Sequence, residues 1–108
     1  MATKRSPTAL TKALMEEDGW LIDMVERWIP GANIRKDLYG FIDFMCIKGE
    51  ETLAIQCTSW ANVSSRVKKI ETSGTVDQVR MAGWKIWVIG WKWDAKMKKW
   101  VHKIEDLS

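Results

Sequence analysis

The chain has 108 residues, of which 46% are hydrophobic and 29% are charged, and its formal net charge at pH 7 is +3. This length corresponds to one domain with one core, residues 1–108, and the composition is typical of a soluble globular protein. No apolar run approaches the roughly 20 residues that cross a bilayer, so we expect no membrane-spanning helix. The basic start carries no apolar signal core, so we expect a cytoplasmic protein without a membrane partner.

The first half of the chain predicts a helix followed by three strands. The segment SPTALTKALMEEDGW offers Ser6 or Thr8 as the helix N-cap and Gly19 as the residue that ends the helix. Residues 20–28 alternate well enough for a strand, and residues 29–37 read as a loop. FIDFMCI and ETLAIQCTS are two further β-rich runs, joined by the turn KGE. We expect the three strands to form an antiparallel meander.

The second half of the chain predicts two helices and two further strands. Val63, Val67 and Ile70 share one helical face, and TVDQVRMAG forms a second helical piece. WKIWVIGWKW and KKWVHKIED are β-rich runs joined by a polar turn around DAKMK. The predicted fold class is therefore α/β, a mixed β-sheet flanked by helices in the order α-β-β-β-α-α-β-β.

An acidic residue inside an apolar strand is the most informative feature of the sequence. Because alternate residues of a strand share a face, Asp43, Gln56 and Thr58 are expected to converge on one side of the meander. Burial of a lone carboxylate is costly unless it is paired, hydrogen-bonded or bound to a cation. These residues therefore predict a metal site. In the alternative, Asp43 lies at the wet end of its strand or accepts hydrogen bonds from backbone amides.

The order of these motifs resembles the PD-(D/E)XK nuclease superfamily, in which an acid on one strand precedes a polar-x-polar triplet on the next strand and a basic helix. GFIDF followed by LAIQCTS is most similar to Mrr-type restriction nucleases and archaeal Holliday junction resolvases. Closer still are small phage and bacterial proteins with the pattern RxDLFGFxD…QxTS…NVxxRxxKI…GW. The resemblance covers roughly residues 20–92. It implies a restriction-endonuclease-like core, and a bacterial or phage-infected cell as the setting.

The resemblance implies roles for individual residues. Asp43 matches the metal-binding acid, and Gln56 matches the first triplet position, where a side-chain oxygen can ligate the ion. The main-chain carbonyl of Cys57 can add to the near-octahedral oxygen shell that Mg²⁺ prefers. Thr58 stands where the family commonly has its catalytic lysine, and a neutral hydroxyl cannot supply that positive charge. Asp37 is a second candidate catalytic acid at the mouth of the site, or alternatively a turn-capping residue.

Basic residues near the triplet could replace the missing lysine and bind DNA. Residues 55–108 hold ten Lys/Arg against five Asp/Glu, whereas residues 1–54 hold seven against nine, a balance that suits a polyanion but also arises on solvated faces. Arg66 or Lys69 is favoured as the substitute cation, because the helical phase places Lys68 away from both. The predicted nucleic-acid-binding residues are Arg35, Lys36, Trp60, Arg66, Lys68 and Lys69.

The remaining aromatic, thiol and imidazole side chains favour structural roles. Five of the eight tryptophans lie in the two C-terminal strands, where we expect them to fill the core or a dimer interface rather than to stack on bases. Cys46 and Cys57 lie in apolar strands without clustered partners, so we expect reduced thiols. His102 is the only histidine, and no role is assigned to it.

The sequence predicts a small deoxyribonuclease that depends on Mg²⁺, with Mn²⁺ as a substitute, and that cleaves phosphodiester bonds of DNA. The expected partners are DNA and a second copy in a homodimer, without a small organic cofactor. A preference for branched or junction DNA is left open. The competing prediction is a DNA-binding or regulatory protein that kept the fold and lost catalysis, as Thr58 suggests. A third class is a protein-interaction module that uses the aromatic strands.

Overall fold

A five-stranded mixed sheet with helices against both faces organises residues 5–108, the part of the chain that the computed structural model describes. Within these residues, no helix is long and apolar enough to span a bilayer. The helices are α1 (Pro7–Glu17), α2 (Val63–Glu71) and α3 (Val76–Met81). The strands are β1 (Leu21–Met24), β2 (Arg27–Ile29), β3 (Ile34–Lys36), β4 (Phe44–Lys48), β5 (Glu51–Ser59), β6 (Lys85–Asp94) and β7 (Lys99–Asp106). The mixed α/β class is as predicted.

Helix α1 begins and ends where its sequence indicates. The Ser6 side chain accepts a hydrogen bond from the backbone N–H of Ala9 at 3.1 Å, and Pro7 occupies the first turn. Ser6 rather than Thr8 is therefore the N-cap. Gly19 follows the helix with a φ of +87°, in the left-handed region that glycine enters without steric cost.

The sheet has the strand order β1-β4-β5-β6-β7. Neighbours pair antiparallel except β5 and β6, which are parallel and align Gln56 with Val88. Parallel neighbours need a long connection, and α2 and α3 lie in it. The predicted meander is present as β1, β4 and β5, and the carboxyl end of β5 leads through a short 3₁₀ turn, Trp60–Asn62, directly into α2.

A small hairpin interrupts the predicted order of elements. The run at residues 20–28 is not one strand, because it breaks between Met24 and Arg27 into β1 and β2. The predicted loop at residues 29–37 contains β3, which pairs with β2 in a separate two-stranded sheet. The predicted strand at FIDFMCI begins only at Phe44, since the preceding residues form a turn. The observed order is α-β-β-β-β-β-α-α-β-β.

Two apolar clusters cover the two faces of the sheet. One joins α1 to Phe44, Ile55 and Ile89, and the other joins α2 and α3 to Ala54 and Val88. Alternation along β5 therefore assigns Ile55 to the α1 side and Ala54 to the α2 side, with Gln56 and Thr58 following Ala54. The antiparallel pairing of β4 with β5 places the polar end of β5 close to the start of β4.

The sequence prediction that the tryptophans fill the core is met in part on β6, where Trp91 is buried and Trp87 and Trp93 are partly buried. Trp91 is buried in the α1-side cluster and Trp87 packs against the same cluster. Trp93 meets Trp100 edge to face, with 5.8 Å between ring centroids. His102 lies against the Trp91 ring at 4.9 Å. The predicted thiol state is also present, since both cysteines are free.

Gly90 is the point of closest approach between β6 and the α2 segment. A Cβ atom at Gly90 would lie 2.2 Å from Cγ2 of Val63 and 3.2 Å from Cα of Trp60. We expect Gly90→Ala to lower the free energy of unfolding by about 1–3 kcal/mol, because the buried Val63 has little space into which to move. Denaturant unfolding measures the change.

A double substitution isolates the cause of this effect. Val63→Ala removes the clashing methyl group, so Gly90→Ala should cost less in that background than in the parent protein. The contact with Trp60 remains, so we expect partial and not full recovery. Strictly additive losses from the two substitutions would contradict the packing argument.

Candidate metal centre

Two backbone hydrogen bonds bring three acidic residues together at the start of β4. The Val25 N–H donates to the Asp43 carbonyl at 2.9 Å, which holds the next residue, Glu26, beside this turn. The Leu38 N–H donates to the Ile42 carbonyl at 3.0 Å, which folds the segment after Asp37 back on itself. Glu26, Asp37 and Asp43 each offer one carboxylate oxygen, and these atoms lie within 4.8 Å of one another.

Asp43 is the buried member of this acid cluster, which consists of Glu26, Asp37 and Asp43. Asp43 is only 7% exposed. Its Oδ2 accepts three hydrogen bonds. The donors are the Gln56 amide Nε2 at 3.3 Å, the Cys57 backbone N–H at 3.1 Å and the Cys57 thiol at 3.7 Å. The predicted convergence of Asp43 with Gln56 is therefore present, and so is the backbone-amide contact of the alternative interpretation.

Burial raises the pKa of Asp43 from 3.8 to about 7. The hydrogen bond from the Cys57 backbone lowers the pKa, but the nearby carboxyl groups of Asp37 and Glu26 raise it further. Three carboxylates this close repel one another when ionised, so the cluster favours a bound proton or cation near neutral pH. The same geometry thus disfavours the bare anionic state and favours cation binding.

A buried amide oxygen next to the acid cluster has no partner. Gln56 is 2% exposed, and its Oε1 accepts no hydrogen bond from residues 5–108 although its Nε2 donates to Asp43. Leaving a buried acceptor unpaired costs about 1–3 kcal/mol. Rotation of the amide by a half-turn would direct Oε1 toward the Asp43 carboxylate, an orientation that a shared proton or a cation would stabilise.

The donor set of this cluster suits a hard divalent cation. Carboxylate and amide oxygens are the ligands that Mg²⁺, Mn²⁺ and Ca²⁺ prefer. Neighbouring oxygens around Mg²⁺ are about 3 Å apart, so the three carboxylates, whose oxygens lie within 4.8 Å of one another, would have to move closer together to bind one ion. Burial raises the pKa of the Cys57 thiol to about 12, and in the metal-free protein this thiol donates a hydrogen bond to Asp43 Oδ2.

Two cations flank the cluster. Lys69 Nζ lies 3.5 Å from Asp37 Oδ2, and Arg35 Nη1 lies 3.4 Å from Glu26 Oε1. Lys69 is thus the basic residue of α2 that reaches the acids. Among residues 5–108, neither Arg66 nor the exposed Lys68 forms an ion pair with these acids.

The other predicted residues lie around the cluster rather than in it. Thr58 is 6% exposed in the sheet, beside Gly90 of β6, so the last position of the predicted triplet is almost closed to solvent. Lys36 is exposed on β3 opposite Arg27. Trp60 lies under two lysines, with Lys92 Nζ 4.2 Å and Lys103 Nζ 4.9 Å from the ring centroid.

Glu26 is the cluster member that sequence reasoning missed. The predicted single strand through residues 20–28 gave no reason to expect Glu26 near Asp43. The chain breaks after β1, and this break brings the Glu26 carboxyl group close to that of Asp43. The turn sequence PGAN, residues 30–33, is typical of a hairpin, but it does not locate the break between β1 and β2 that turns Glu26 toward Asp43.

Comparisons with protein-family models, curated proteins and solved structures yield no match for this chain. The geometry of the acid cluster is therefore the basis for a functional proposal.

Proton release from Asp43 should make the metal-free protein less stable as the pH rises. Above pH 3.8 Asp43 of the unfolded chain releases its proton, whereas folded Asp43 keeps its proton until about pH 7. The contribution of Asp43 to the free energy of unfolding therefore falls as the pH rises from 3.8 to about 7, and it is constant above pH 7. We expect the stability of the parent relative to Asp43→Asn to decline between pH 4 and pH 7. Urea unfolding at a series of pH values measures it, and a difference that does not vary with pH would contradict this expectation.

Proposed function

We propose that this protein is a small metal-dependent DNA endonuclease. The observation that carries the proposal is the acid cluster, three carboxylates within 4.8 Å next to a buried amide oxygen that lacks a partner. Such oxygen clusters are the ligands that phosphodiester-cleaving metal sites use. Glu26 and Asp37 are partly exposed, so a phosphate could approach the cluster.

The topology agrees with the restriction-endonuclease-like fold that the sequence resemblance implies. An acid at the start of one strand, a polar triplet on its antiparallel neighbour, and a helical crossover to a parallel strand occur here in that order. Helix α1 covers the opposite face of the same sheet. This agreement supports the proposed fold only. The proposed metal-dependent cleavage is argued from the side chains of the acid cluster, because a fold does not imply a function.

Mg²⁺ or Mn²⁺ would be held by the carboxylates of Glu26, Asp37 and Asp43 and by the amide oxygen of Gln56. The Cys57 carbonyl is a further candidate ligand. When bound, such an ion activates a water molecule and offsets the charge that develops on the phosphate. Asp43 must be deprotonated for this, which its pKa of about 7 allows at slightly alkaline pH. Lys69, held by Asp37, could stabilise the phosphate charge in place of the lysine absent from position 58.

A second candidate function is DNA binding without cleavage. The buried, uncharged Thr58 favours it, because no cation stands at the triplet position itself. In this case the acid cluster is the remnant of a lost metal site, or it has a structural role in which Asp43 accepts the hydrogen bond from the Cys57 N–H. The expected homodimer stays a prediction under either function.

A cleavage assay tests the proposal directly. Supercoiled plasmid, linear duplex, single-stranded DNA and a four-way junction are incubated with the purified protein in Mg²⁺, Mn²⁺ or EDTA. Cleavage in either metal and none in EDTA supports the nuclease. DNA binding without cleavage in any metal would favour the second candidate, and the absence of both would overturn the two together.

A further inference from the structure

The hairpin of β2 and β3 is a basic ribbon that stands apart from the main sheet. All of residues 27–36 except Ile29 are exposed, including Trp28 at 54% and Ile34 at 51%. The segment contains Arg27, Arg35 and Lys36 and no acidic residue. An isolated two-stranded ribbon is only marginally stable in water, and the exposed apolar side chains on both faces of this one offer a surface for a partner.

The two ends of this ribbon border the acid cluster. Glu26 directly precedes Arg27, and Asp37 directly follows Lys36. Register pairing places Arg27 opposite Lys36 at the base of the ribbon, next to the acids. Neither Arg27 nor Lys36 forms an ion pair with an acid of residues 5–108, whereas Arg35 is held by Glu26. Two cations are therefore available to a phosphate backbone beside the candidate catalytic site.

We propose that the β2–β3 ribbon inserts into the major groove of duplex DNA and thereby presents the phosphate backbone to the acid cluster. The inference rests on the proposed function, since it names the form of nucleic acid that the site receives. A two-stranded ribbon fits the B-form major groove, which is about 12 Å wide. The major groove of A-form RNA is too narrow to admit it, and a single strand offers no groove. The surplus of positive charge on the ribbon is complementary to the phosphate backbone of DNA.

Binding without metal tests the ribbon independently of cleavage. Fluorescence anisotropy in EDTA follows a labelled 20-base-pair DNA duplex over a range of salt concentrations. For the double variant Arg27→Gln/Lys36→Gln we expect an affinity at least about tenfold lower, and a salt slope reduced by roughly two units for two lost phosphate contacts. The matched control, Lys96→Gln/Lys99→Gln, removes the same charge at the β6–β7 turn, beside the opposite edge of the sheet, and should bind like the parent.

Substrate changes test groove insertion with the unmodified protein. Duplex DNA with glucosylated hydroxymethylcytosine, whose sugars fill the major groove, should bind at least about tenfold more weakly than the plain duplex. Double-stranded RNA and single-stranded DNA should bind similarly weakly. Equal affinity for RNA, for the single strand or for the glucosylated duplex would overturn the proposal. So would equal losses in the ribbon and control variants, or no DNA binding by the parent.

The outcomes separate this proposal from the nuclease itself. If the parent cleaves DNA with metal while the ribbon variant binds as tightly as the parent, the ribbon proposal fails and the nuclease stands. If the ribbon variant loses binding while no metal supports cleavage, the ribbon stands as a DNA-binding element and the nuclease fails. Circular dichroism of the variants checks their folding, and the glucosylated duplex needs no variant at all.

Discussion

Asp43→Asn should abolish metal-dependent cleavage while raising the melting temperature of the metal-free protein at pH 8. The substitution removes the buried charge of the acid cluster, and an amide is a poorer metal ligand, so we expect a loss of cleavage of about 100-fold or more. At pH 8 the parent carries an ionised Asp43 close to Asp37 and Glu26, a repulsion that asparagine removes. The Asn oxygen can still accept the Cys57 N–H.

Melting curves with and without metal separate the two interpretations of Asp43. In the parent, Mg²⁺ or Mn²⁺ should raise the melting temperature by mass action, and in Asp43→Asn the metal should have no effect. Asp23→Asn is the matched control, because Asp23 is an exposed acid on β1 outside the cluster, and it should behave like the parent. A lower melting point for Asp43→Asn at pH 8, with no metal effect in the parent, would identify Asp43 as a structural acceptor only.

Strand alternation was sufficient to predict that the side chains of Asp43 and Gln56 lie next to each other. Asp43 and Gln56 lie in consecutive runs separated by a short turn, and a short turn leaves few registers open. The hydrogen bond between them follows from that local pattern. Helix α2 was predicted for the same reason, since Val63 and Ile70 mark one helical face without reference to the rest of the chain.

The contribution of Glu26 could not be predicted from local patterns. No glycine or proline marks the break between β1 and β2, and alternation continues through it. What decides the break is the hydrogen bond from the Val25 N–H to the Asp43 carbonyl, a contact between segments eighteen positions apart. Likewise, helical phase grouped Arg66 with Lys69 but could not choose between them, because the position of Asp37 depends on the turn that returns to Ile42.

Lys69→Gln should reduce cleavage strongly while leaving the fold unchanged. Lys69 Nζ lies 3.5 Å from Asp37 Oδ2, so it is the cation of α2 that can act on a phosphate at the acid cluster. Removal of one positioned electrostatic group costs about 10²–10³-fold in rate in well-studied enzymes, and we expect a loss in this range. The Lys69 side chain is 43% exposed, although that of Asp37 is only 18% exposed, so the melting temperature should fall only modestly.

Lys68→Gln provides a control that differs from Lys69→Gln by one position on the same helix. Lys68 is exposed and makes no ion pair with the acid cluster, so its substitution removes the same charge from α2 without touching the site. We expect its cleavage rate to stay within about twofold of the parent, with a comparable small loss of DNA affinity in both variants. Single-turnover rates at saturating protein separate the chemical step from binding. Equal rates for the two variants would exclude Lys69 as the substitute for the lysine absent from position 58, and would require another source of positive charge at the phosphate.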